Sequence, residues 1–201
     1  MKMAWVLGWA VPEAWFAPLV YRAFRDAEHT FIPAGPEAAT RIQALPSCDW
    51  LVGYSLGAQV LLAAAARGMS LGRVTLLAPI FAFPREEALG GRVARTQVRH
   101  LARWVRRDAP AALADFYARA GLDVPANLAL PTATEELLWG LGCLENERIE
   151  PPPPAGWRLW CGTEDTLLDA ERLREIAPGT RRVPGTHHPA ALLQAMAEDE
   201  R

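Results

Sequence analysis

Ser55, Asp165 and His187 are residue types that acyl-transfer chemistry uses together. A serine hydroxyl is a weak nucleophile until a neighbouring base takes its proton. Ser55 stands in Gly53-Tyr54-Ser55-Leu56-Gly57. Glycines at those two places suit a sharp, strained turn between a strand and a helix, where side chains would strike neighbouring backbone. The apolar run 50–52 before the turn reads as a buried strand. The stretch AQVLLAAAAR after it reads as a helix that stops near Gly68. Such a turn lifts the hydroxyl above a sheet and leaves the Leu56 N–H at a helix N-terminus, where anionic oxygen is favoured.

The base must come from one of four histidines, His29, His100, His187 or His188. His29 precedes a predicted strand and His100 lies in a helical region. His187 and His188, in GTHHPA, follow the last predicted strand. A serine lifted on such a turn takes its acid and then its histidine from loops after later strands. Only the late pair fits. The loop after the preceding strand reads Cys161-Gly162-Thr163-Glu164-Asp165. It offers Asp165, with Glu164 as the alternative. A second N–H for the developing oxyanion is expected from Trp9, in Leu7-Gly8-Trp9 after the first strand.

These residues need a sheet to hold them. Short apolar runs read as strands at 4–7, 30–32, 50–52, 74–77, 158–161 and 181–183. Continuous apolar runs, not alternating ones, mark strands buried on both faces of a parallel sheet. Helical stretches between them, such as 171–176 and 189–197, imply an α/β architecture. Residues 85–150 carry helical signal and little strand signal. The run Pro151–Pro154 closes that region, because four prolines fit neither a helix nor a central strand. The expectation is one domain over 1–201, with a core of 1–84 and 151–201. A helical lid of about 85–150 is inserted between the fourth and fifth strands.

The 201 residues suffice for one sizeable core. A net charge of −2 gives no reason to expect a nucleic-acid partner. No apolar run approaches the roughly 20 residues that span a membrane. The first residues, MKMAWVLGWAVPEAWF, are interrupted by Gly8 and Pro12 and followed by Glu13, so they read as a strand more than as a secretory leader. Cys48, Cys143 and Cys161 are scattered and form no CxxC pair. That suits a reducing, cytoplasmic setting and offers no metal or disulfide framework.

Taken together, the motifs resemble the α/β-hydrolase superfamily over the whole chain. Within it the chain is most similar to the pimeloyl-[acyl-carrier protein] methyl ester carboxylesterases of biotin synthesis. The matching pieces are GWAVPEAWF, GYSLGAQ, WGLGCLENERI, CGTEDTLL and THHPA, and RTQVRHLARWVRRDAPAALADFYARAG has the flavour of that family's lid. The resemblance implies Ser55 as nucleophile, Asp165 as acid, and Trp9 and Leu56 as backbone oxyanion donors. It implies His187 over His188, because the family's histidine stands two residues before a proline, here Pro189. It implies no metal or organic cofactor. Members commonly carry His-Gly-Trp where this chain has Leu7-Gly8-Trp9, and an antiparallel hairpin ahead of the first strand. A trimmed, mostly parallel sheet of about six strands is therefore expected.

The insertion adds a charge pattern. Arg92, Arg95, Arg99, Arg103 and Arg106 are spaced by 3, 4, 4 and 3, so on one helix they form a stripe, with Arg107 beside it. Guanidinium groups bind carboxylate and phosphate through paired hydrogen bonds. Arg99, Arg103 and Arg106 are the expected docking residues for an acidic acyl carrier protein. Phe81, Phe83, Trp104, Phe116 and Tyr117 are candidates for an acyl channel, and Tyr54 for a substrate contact. The rivals are a general carboxylesterase or thioesterase acting on small-molecule esters, and a non-catalytic binding protein of the same fold.

Overall fold

The computed structural model describes residues 1–125 and 132–200, so 126–131 of the expected lid lie outside the described residues. Six strands form one parallel sheet: β1 (Lys2–Val6), β2 (Glu28–Ile32), β3 (Trp50–Tyr54), β4 (Val74–Leu77), β7 (Arg158–Gly162) and β8 (Thr180–Val183). Their order is β2-β1-β3-β4-β7-β8. β3 and β4 are buried along their whole length, as continuous apolar runs require. The core helices are α1 (Glu13–Ala23), α2 (Ala38–Gln43), α3 (Leu56–Ala66), α7 (Ala170–Ile176) and α8 (Pro189–Glu198). α3 is apolar on nearly every face and lies deep in the core.

The strand order reverses between β1 and β3, which run side by side with Val6 opposite Gly53. In an open parallel sheet the crevice beyond such a switch point is where ligands bind. The loop 7–12 and the turn at Ser55 therefore leave the sheet together.

The insertion departs from expectation at its start. Before its helices comes a small ribbon, β5 (Ala82–Pro84) paired parallel with β6 (Gly90–Val93). Arg92 lies on β6. Among the described residues three helices follow: α4 (Arg95–Arg107), α5 (Ala109–Ala120) and α6 (Thr134–Asn146). The stripe thus begins at Arg95. A spacing of three and four fixes which residues share a face, but not where a helix starts. Here α4 starts where Ala94 N–H donates to the Gln97 side chain (2.9 Å) and Arg95 N–H to the Glu86 carboxylate (3.1 Å). α5 starts on the Asp108 carboxylate, which accepts from Ala111 N–H, and it ends at Gly121 in the left-handed region.

Candidate active site

Ser55 is strained, with φ 54° and ψ −117°. A non-glycine residue in that region persists only where its surroundings dictate it. They do so from both sides. Ser55 N–H donates to Leu77 O (2.9 Å) on β4, and Ser55 O accepts from Ala58 N–H (2.9 Å) in the first turn of α3. A Cβ on Gly53 would stand 2.8 Å from Ala58 backbone, and one on Gly57 would run into the Val6 carbonyl. Both glycines are required by close approach of main chain, which is the physical content of the motif.

That approach also sets the neighbouring loop. Gly8 lies against the Ser55 side chain; a Cβ on it would stand 3.2 Å from Ser55 Cβ. Within the described residues, the Trp9 and Leu56 N–H groups donate to no protein acceptor. The Trp9 indole is buried and donates to Leu137 O (2.8 Å) on α6. Trp9 is thus core in its side chain while its amide stays free.

His187 stands between Ser55 and Asp165. Its Nε2 is 3.0 Å from Ser55 Oγ and its Nδ1 is 2.7 Å from Asp165 Oδ2. A carboxylate accepts, so Nδ1 donates to it; Nε2 is then the lone-pair nitrogen that faces the serine hydroxyl. The other carboxylate oxygen of Asp165 accepts from Leu167 N–H (2.8 Å) and Leu168 N–H (3.0 Å). Asp165 and His187 are each 1 % exposed, and Ser55 is 9 % exposed. The loops carrying acid and histidine are tied by main chain: Thr163 N–H to Val183 O (2.9 Å) and Glu164 N–H to Gly185 O (2.8 Å).

The alternatives stand elsewhere. Glu164 is exposed. His188 caps α8 through Nδ1, which accepts from Ala190 N–H, while its Nε2 meets Asp123 at 3.0 Å.

Tyr54, expected as a substrate contact, is not among the residues lining the cavity under the insertion. It is buried, and its hydroxyl donates to His187 O at 2.7 Å. Burial, and then the charge of Asp165, hold that hydroxyl well above the ordinary tyrosine range. Nothing in the sequence marked this role, because the two residues meet only through folding.

A cavity of about 370 Å³ lies between the helices of the insertion, its ribbon and the loops after β1 and β7. Trp9, Phe83, Leu101, Trp104, Phe116 and Leu167 form much of its wall, with Arg92, His100, Asp115 and Arg119 at its polar side. It adjoins the triad through Trp9, which follows Gly8, and Leu167, whose amide holds Asp165; Ser55 does not line it. Of the residues proposed for an acyl channel, Phe83, Trp104 and Phe116 line this cavity. Phe81 is core, and Tyr117 instead donates its hydroxyl to Ala10 O (2.5 Å), with burial pushing it up to about 12.

The arginine stripe is partly spent. Arg95 pairs with Glu87 and also donates to Glu145 O, and Arg99 pairs with Glu145 at 2.6 Å. Arg92 turns toward Asp165 O and Asp169. Arg103, Arg106 and Arg107 are exposed and make no ion pair among the described residues. No group of three metal-binding side chains occurs among those residues, and no helix there is long and apolar enough to cross a membrane.

A parallel sheet of order 2-1-3-4-7-8, a serine on a strained strand-to-helix turn and a lid after the fourth sheet strand decide the architecture. The fold is that of the α/β hydrolases. An esterase from Exiguobacterium antarcticum superposes with a TM-score of 0.78 at 16 % identity, covering 100 % of this chain and 90 % of that one. RedJ, a thioesterase from the prodiginine pathway of Streptomyces coelicolor, gives 0.59 at 15 % identity over 98 % and 85 %. The bottromycin epimerase BotH gives 0.65 at 18 % identity over 99 % and 88 %. No protein-family model matches the sequence, and no curated protein matches it significantly. At these identities the likeness of this chain to its neighbours is one of fold.

Proposed function

We propose that the protein is a serine carboxylesterase, with pimeloyl-acyl carrier protein methyl ester as its substrate in the cytoplasm. The observation that carries the esterase reading is the chain Ser55 Oγ–His187 Nε2 (3.0 Å) and His187 Nδ1–Asp165 Oδ2 (2.7 Å), buried at the carboxyl end of the sheet. In the proposed reaction His187 takes the Ser55 proton as Oγ attacks the ester carbonyl. Asp165 holds the imidazole tautomer and stabilises the imidazolium. The Trp9 and Leu56 N–H groups hold the oxyanion. His187 protonates the leaving alkoxide, methanol in this substrate. Water, deprotonated by the same nitrogen, then attacks the acyl-enzyme and releases the acid and Ser55.

The carrier-protein part of the reading rests on the family resemblance and on Arg103, Arg106 and Arg107. A second reading, a general esterase or thioesterase for small acyl groups, is favoured by the pairing of Arg95 and Arg99 and by the esterase and thioesterase names of fold neighbours. A rate comparison separates them. Pimeloyl methyl ester on acyl carrier protein is run beside a short p-nitrophenyl ester, each with the wild type and Arg103→Glu. A loss confined to the carrier-bound ester supports docking; an equal effect on both, or turnover of the free ester alone, supports the second reading.

A further inference from the structure

We infer that Arg92 is a positioning residue for the catalytic acid. The inference rests on the serine-hydrolase reading and extends it to the ribbon β5–β6, which no part of the triad requires.

Asp165 has two ends to control. Its carboxylate is filled by His187, Leu167 N–H and Leu168 N–H. Its main-chain carbonyl accepts from Arg92 Nη1 at 3.1 Å. The same guanidinium lies 3.7 Å from Asp169 Oδ2, so it spans both ends of the short acid loop 165–169. The strand carrying it grips that loop by main chain as well. Arg92 N–H donates to Leu167 O (2.9 Å), Asp169 N–H donates to Gly90 O (2.7 Å), and Gly91 bridges Leu168 in antiparallel sense.

The ribbon is placed with little freedom. A Cβ on Gly91 would run into the Phe83 carbonyl, and one on Gly90 would stand 2.6 Å from the Leu173 side chain. So confined a strand fixes the Cα from which the guanidinium reaches the acid loop. Its side chain is about half exposed, so its effect on the triad is geometric more than Coulombic. A loop displaced by a fraction of an ångström moves Asp165 off His187, and misplacement on that scale is costly to a reaction that depends on alignment.

The test uses a neutral short p-nitrophenyl ester, which offers no charge for Arg92 to recognise. Arg92→Ala is expected to lower kcat by about tenfold with KM within about twofold, and to slow fluorophosphonate labelling of Ser55 alike. Guanidinium at millimolar concentration should restore turnover in the variant and leave the wild type unchanged, which a generally loosened fold would not do. If Arg92→Ala does not fold, Arg92→Lys carries the test, and its kcat should fall less than about threefold because the ammonium still reaches a carbonyl. An unchanged kcat, a rise confined to KM, absence of rescue, or a tenfold loss in Arg92→Lys overturns the inference and leaves the hydrolase reading standing. A wild type that neither turns over ester nor labels at Ser55 overturns both.

Discussion

Two regions meet over Ser55, the carboxyl ends of the sheet and the helical lid, and they are held in different ways. Around the sheet the contacts are main chain on main chain: Ser55 to Leu77, Thr163 to Val183, Glu164 to Gly185, with Gly57 pressed on the Val6 carbonyl. Between the lid helices α4–α6 and the core the named contacts are side-chain ones, while the ends of the insertion are joined to the core by main chain. The Trp9 indole reaches Leu137, the Tyr117 hydroxyl reaches Ala10, and Asp123 joins His188 and the Trp15 indole. A main-chain lattice has no rotamers to exchange, so it holds the backbone that carries Ser55 and the acid loop in place. Side-chain ties are individually weak and replaceable, which suits a surface that must admit and release substrate. In the proposed function the chemistry sits on the rigid partner and recognition on the adjustable one.

The largest break is expected on the rigid side. Ser55→Ala should lower turnover by about 10⁶, and His187→Ala by a similar factor, because triad members act as a unit. His188→Ala should keep nearly full turnover of a short ester. A damaging His188→Ala beside a mild His187→Ala would reverse the assignment. Next comes one substitution made in both regions. Gly57→Ala places a methyl on the Val6 carbonyl and should destabilise by about 3 kcal/mol. Gly142→Ala, in α6 with nothing near the added carbon, should stabilise by up to about 1 kcal/mol through helix propensity alone. Urea denaturation of the pair measures this. Equal effects at both sites would erase the contrast in packing.

The division also explains what the sequence could reveal. The inner strands were legible because parallel strands buried on both faces are short continuous apolar runs; the edge strands β2 and β8 are only partly buried, and each of the six lies within two residues of its expected bounds. Ser55, the acid loop and the late histidines were legible because chain order and glycine spacing are one-dimensional. The ribbon β5–β6 was not. Its residues carry Pro84 and the pair Gly90-Gly91, which read as turn, and it is held by a loop more than seventy residues away in sequence. The role of Tyr54 was hidden likewise, since its partner His187 is 133 positions away. Helix α1 holds Pro18 in its interior, and no helix was expected there. Arginine spacing gave the right face for Arg95 to Arg106, but not Arg92 on a strand or the Glu145 that occupies Arg99.

Tyr54→Phe probes the rigid side more gently. Losing the hydroxyl bond to His187 O should lower kcat by about three- to tenfold with little change in KM. Because burial holds the Tyr54 hydroxyl above its ordinary range, it remains a donor as pH passes about 10, where an exposed tyrosine ionises. The wild-type to variant ratio of kcat should therefore stay flat into the alkaline range. For stability the sign runs the other way. A raised folded-state pKa gives a contribution that is whole below the ordinary tyrosine value and is lost as pH rises toward the folded one. Tyr54→Phe removes that alkaline loss, so its unfolding should be less sensitive to high pH than that of the wild type.

The smallest effect belongs to the lid's tie at Asp123. The hydrogen bond from His188, and with it that from the Trp15 indole, holds the Asp123 carboxyl below its ordinary range. A depressed folded-state pKa contributes stability that is present above the ordinary carboxylate value and is lost as pH falls through the folded one. Asp123 is 80 % exposed, so solvent screens most of that gain. Asp123→Asn should therefore lower Tm by no more than about 3 °C near neutral pH, and the gap should close in acid. Turnover of a short ester should change less than about twofold, because the tie fastens a loop of the lid and not the nucleophile, acid or base. A larger loss of turnover with an unchanged Tm would mean that the His188 side of the loop steers His187 itself. The boundary between the rigid and the adjustable region would then fall between two adjacent histidines rather than between sheet and lid.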